Sequence, residues 1–134
     1  MLTATQAAPV AKTTVWAGRI MSVLAVLFLA LDSIIKVLNL APAVEATTQL
    51  GYPASLVIGI GIIELLCLAV YVIPRTSVLG AILLTGYLGG AIATQVRAGS
   101  PLFPVVFPII IGALVWGGLF VREARLRALV PLRS

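Results

Sequence analysis

Residues 54–73 read ASLVIGIGIIELLCLAVYVI, and only Glu64 among them carries a charge at neutral pH. A helix needs about 20 apolar residues to cross roughly 30 Å of hydrocarbon. A membrane β-strand needs about half that number and alternates in polarity. This stretch does not alternate, so it reads as a membrane-spanning helix. Three more runs of the same kind surround it, at about residues 16–40, 78–96 and 103–121. The connections are rich in turn formers: APAVEATTQLGYP (41–53), PRTS (74–77) and RAGSP (97–101). Four such helices with short connections define an all-α, up-down four-helix bundle in a membrane. The expected organisation is a flexible cytoplasmic N-terminus over 1–14, a membrane domain over 15–121 and a basic cytoplasmic tail over 122–134.

Composition supports that class. Of 134 residues, 61% are hydrophobic and 10% charged, against about 25% charged in soluble domains. Mean hydropathy is +1.19. The net charge of +5 lacks the aromatic–basic interleaving of a nucleic-acid surface, so no nucleic-acid partner is expected; the basic residues instead flank the apolar runs.

Their distribution predicts orientation, because cytoplasmic loops gather Lys and Arg. One side collects Lys12, Arg19, Arg75, Arg122, Arg125, Arg127 and Arg133; the other has Arg97 and Lys36. Both termini are therefore expected in the cytoplasm, with the bundle in a bacterial plasma membrane. The tail REARLRALVPLRS reads as a short basic interfacial helix meeting anionic headgroups. The APA at 41–43 resembles a cleavage signal, but the apolar run before it is too long for a signal-peptide core.

What is missing narrows the chemistry. Without histidine, bis-His haem and His-built metal sites are not expected. The single cysteine, Cys67, forms no internal pair and reads as a small apolar filler. No phosphate-binding glycine loop follows a strand.

The remaining candidates are polar groups at membrane depth. In FLALDSIIKVLNL (28–40), Asp32 and Lys36 lie four apart on one helix face. With the first helix centred near Phe28, Asp32 sits about 6 Å and Lys36 about 12 Å from the midplane, and Lys36 is expected to snorkel outward. Glu64 sits near the centre of its span and cannot snorkel, so it needs a proton, a partner or a hydrated cavity. Tyr87, Gln95 and Arg97 on the third span complete the set. Asp32, Lys36, Glu64, Gln95, Arg97 and Tyr87 are thus the candidate ligand or proton site. The expected arrangement is a pocket open to the outer face, with Asp32 paired to Lys36 or Arg97 above Glu64. The alternative is a structural staple, since polar residues also glue membrane helices together. For helix packing the candidates are Gly61, Gly86-x-x-x-Gly90 and Ala113-x-x-x-Gly117. Pro108 is expected to kink the last span.

The order LDSIIKVLNL, then LGYPASLVIGIGIIELLCL, then a Gly-rich third and a Pro-led fourth helix resembles the DoxX-like family of small four-helix membrane proteins. Lys36 closing the first helix, Gly51-Tyr52-Pro53 before the second, and the Gly61–Glu64 face carry the likeness. It extends over nearly the whole chain after residue 15. Some members resemble a membrane subunit of a thiosulfate:quinone oxidoreductase, others belong to redox-stress complexes, and distant relatives chaperone receptor assembly. The resemblance implies a non-catalytic subunit or partner of a membrane redox system that binds a quinone or similar lipophilic molecule. No cofactor is expected to be covalently bound. Two other readings stand beside it: an assembly factor using small-residue faces, and a small permease or proton conductor built from oligomers. The expected partners are the lipid bilayer, a membrane or redox protein, and a further copy of the chain.

Overall fold

The computed structural model describes residues 12–123 and Leu126, so the expected tail helix lies almost entirely outside the described residues. Among the described residues five α-helices follow in order: α1 (Lys12–Val37), α2 (Ala41–Gln49), α3 (Val57–Val72), α4 (Ser77–Arg97) and α5 (Leu102–Arg122). Short 3-10 turns, Ala54–Leu56 and Pro74–Thr76, lead into α3 and α4. Four of the helices, all but α2, are long and apolar enough to cross a bilayer.

The four spans close a square. α1 and α4 each pack against both α3 and α5, and face one another only across the diagonal. Each helix buries one narrow stripe at i, i+3/i+4 spacing: Ser22, Ala25, Leu29 and Ser33 on α1; Val57, Gly61, Glu64, Leu68 and Tyr71 on α3. Ala81, Leu84 and Leu88 of α4 meet Ile111, Val115 and Leu119 of α5 in the same core. Outside that stripe the surface stays apolar: Leu27 is 62% exposed, Leu31 64% and Leu66 62%. Apolar side chains on every outer face belong in lipid. The chain is an integral membrane protein.

At one end of the bundle the helices stop by the same device. Asn39, Gly51 and Gly99 have φ of 56°, 97° and 72°, the left-handed conformation that ends helices and that Gly and Asn tolerate best. Behind each lie the two bonds of a Schellman turn. Leu40 N–H donates to Ile35 O and Asn39 N–H to Lys36 O; Ser100 N–H donates to Gln95 O and Gly99 N–H to Val96 O. Tyr52 and Gly51 repeat the pattern onto Thr47 O and Thr48 O. Asn39 therefore ends α1 at Val37, three residues before the expected boundary.

Two expectations need correction. Residues 41–49, read above as loop, form α2. Pro42 sits in its first turn, where a missing N–H costs nothing, and Ala43 and Thr47 tuck one face against the bundle. The packing glycines are also largely different ones. A Cβ on Gly86 or Gly90 would meet nothing within 4 Å, and Ala113 is exposed. Each lies two residues past an inward position (Leu84, Leu88, Ile111), which is about 200° round the helix. Gly117 only borders the Met21 side chain: an added Cβ would lie 3.4 Å from its Sδ, an ordinary contact. The close contacts are at Gly18 and Gly118 between α1 and α5, at Gly61 between α1 and α3, and at Gly80 against the Tyr71 backbone between α3 and α4. Helix α5 runs unbroken through a buried Pro108.

Candidate functional site

Lys36 organises the polar interior. It lies in the last turn of α1, yet its side chain turns back into the membrane instead of snorkelling outward. A helix directs its Cα–Cβ bonds toward its N-terminus, and for α1 that direction leads to Asp32 and the bundle centre. Lys36 Nζ donates to Asp32 Oδ2 at 2.6 Å, to the Tyr87 hydroxyl at 2.8 Å and to Glu64 Oε1 at 3.1 Å. Tyr87 in turn donates its hydroxyl proton to Glu64 Oε1 at 3.1 Å. Three spans, α1, α3 and α4, thereby meet at one ammonium group.

Burial is graded across the cluster. Glu64 is 0% exposed and the Lys36 side chain 15%, while Asp32 at 29% forms the outer edge. The groups close on one another more than they line an open pocket. A close approach makes this possible: a Cβ on Gly61 would lie 2.6 Å from Lys36 Cβ and 3.0 Å from Ser33 O. With hydrogen alone at position 61, α3 comes near enough for Glu64, one turn further on, to reach the ammonium. One atom is left over. Glu64 Oε2 is buried and has no hydrogen-bond partner among the described residues.

Gln95 and Arg97 are not brought to this cluster. Gln95 Oε1 accepts from the Ser100 hydroxyl at 2.5 Å, and Arg97 Nη2 donates to Leu50 O at 2.9 Å, tying the end of α4 to the end of α2. Tyr52, on the connection to α3, hydrogen-bonds Thr94 at 3.0 Å. These contacts form a polar cap over the bundle end, separate from the buried cluster.

A second buried polar layer escaped the sequence reading. Toward the opposite end, Tyr71 donates to Val115 O at 2.9 Å, so the Ser22 hydroxyl, 2.8 Å away, donates to Tyr71. Arg122 Nη2 donates to Ser22 Oγ at 2.9 Å, completing a relay of donors from α5 through α1 to α3 and back to α5. A tyrosine inside an otherwise apolar span was the available signal, since a buried hydroxyl needs a partner.

The sequence profile of the DoxX-like family matches residues 20–118. No curated protein and no solved structure matches the chain significantly. The matched region runs from the first turns of α1 through most of α5, and so contains Asp32, Lys36, Glu64, Tyr87 and the glycine that seats them. The chain is a member of the DoxX-like family.

Proposed function

We propose that this protein is a non-catalytic subunit or partner of a membrane redox system, holding a lipophilic quinone-like molecule by its polar head at the Lys36–Glu64–Asp32–Tyr87 cluster. The observation that carries the reading is the unpartnered Glu64 Oε2. Leaving a buried polar atom unsatisfied costs on the order of 1–3 kcal/mol, and ionisable groups within membrane spans mark functional sites by default. With one cysteine and no histidine, the chain is suited to hold such a molecule while a partner moves the electrons. In this reading residues 15–121 are one membrane domain in a bacterial plasma membrane, with Lys12, Arg19, Arg75 and Arg122 on the cytoplasmic side.

The test is ligand-dependent stability of the purified full chain. Decylubiquinone and decylubiquinol, each titrated in detergent, should raise the unfolding temperature for at least one form. Saturation at about 100 times Kd corresponds to about 2.7 kcal/mol. No rise with either form, together with no quinone in the lipid extract of the gently purified protein, overturns the proposal.

A second reading has its own observation. Gly86, Gly89 and Gly90 of α4 face open space, a small-residue surface on which another membrane helix could pack closely, as an assembly factor requires. Gly86→Leu should then abolish partner capture without altering the stability of the isolated chain, whereas Glu64→Gln should leave capture intact.

A further inference from the structure

The hydrogen bonds of the cluster can be counted from both sides, and the count is unequal. An ammonium has three N–H donors, and all three of Lys36 are committed, to Asp32, Tyr87 and Glu64. The one hydroxyl proton of Tyr87 is committed to Glu64 Oε1. Ser33, buried beside them, gives its proton to Ala30 O at 3.0 Å. Acceptors remain: Glu64 Oε2 has no partner among the described residues, and the bond that Asp32 accepts uses Oδ2. Charge leans the same way, with two carboxyl groups around one ammonium. A proton on Glu64 Oε2 would turn that acceptor into a donor, so the count applies to the cluster with both carboxyl groups ionised.

Resting on the ligand reading above, we propose that this site accepts hydrogen bonds and does not give them, so that it selects a head bearing hydroxyl donors over one bearing only carbonyl oxygens or a negative charge. A phenolic or hydroquinone hydroxyl approaching past the exposed edge of Asp32 meets carboxylate acceptors. A quinone carbonyl meets oxygens that repel it. For a molecule existing in both forms, the site holds the reduced one.

The experiment compares decylubiquinol, decylubiquinone and the dimethyl ether of decylubiquinol for binding to the full chain in detergent under anaerobic conditions. The quinol should bind at least tenfold more tightly than the quinone. That ratio raises the apparent midpoint potential of the bound couple by about 30 mV. The ether has the aromatic ring but no donors, and should bind as weakly as the quinone. Glu64→Gln introduces an amide donor and should shrink or reverse the preference; Asp32→Asn, at the exposed edge, does the same should the first variant fail to fold. Equal affinities, or preference for the quinone or the ether, overturn this inference while leaving a ligand site in place. Failure of all three to bind removes both the ligand reading and the selectivity.

Discussion

At the scale of single residues, Lys36 sets the energetics of the interior. Among the described residues it is the one cation paired with Asp32 and Glu64, and 3.1 Å separates it from a carboxylate that is 0% exposed. Removing one partner of a buried ion pair leaves an uncompensated charge and costs about 3–5 kcal/mol. Lys36→Met should therefore destabilise the folded chain by about that amount in detergent-denaturation titrations. Adding Glu64→Leu to it should recover much of the loss, because the stranded carboxyl group is then gone. A purely additive double variant would show that the two side chains do not interact. Tyr87→Phe deletes a hydroxyl that accepts from Lys36 and donates to Glu64; about 1–2 kcal/mol should be lost in the same titration.

At the scale of elements, glycines divide by what faces them. Gly80 has no room for a Cβ against the backbone of Tyr71, so Gly80→Ala forces α3 and α4 apart and should cost about 1–3 kcal/mol. Gly86 has open space, and Gly86→Ala should be neutral or stabilising by up to about 1 kcal/mol, the helix-propensity difference. Paired thermal-unfolding measurements of the two variants check this. The contrast also shows what a sequence reveals. The four spans were legible because length and apolarity are one-dimensional properties. Asp32, Lys36 and Glu64 stood out because charges within spans are costly wherever they point. Which glycine touches a neighbour depends on helix rotation, and each span is apolar on all sides, so no polar face marks the outside. Helix α2 stayed hidden because its nine residues, APAVEATTQ, show too short a period, although Asn39, suited to the left-handed end of α1, was a local signal for the break. Gln95 and Arg97 were grouped with the cluster by depth alone, whereas their side chains close the bundle end.

At the scale of the whole molecule, the inward turn of Lys36 sharpens the charge asymmetry on which orientation depends. Among the described residues, one end presents Lys12, Arg19, Arg75 and Arg122, while the other presents only Arg97 as an outward-facing cation. Single cysteines at positions 75 and 100 in a Cys67→Ser background should label oppositely. In spheroplasts a membrane-impermeant maleimide should reach position 100 but not position 75, and in inverted vesicles the pattern should reverse. Gly61 has a mechanical consequence as well. A Cβ built on Gly61 would lie 2.9 Å from Val37 N, so the backbones of α1 and α3 come closest there, at the last turn of α1. The Lys36–Glu64 pair lies one turn from that contact, so a side chain added at position 61, by pushing α3 off α1, should also draw the two charges apart.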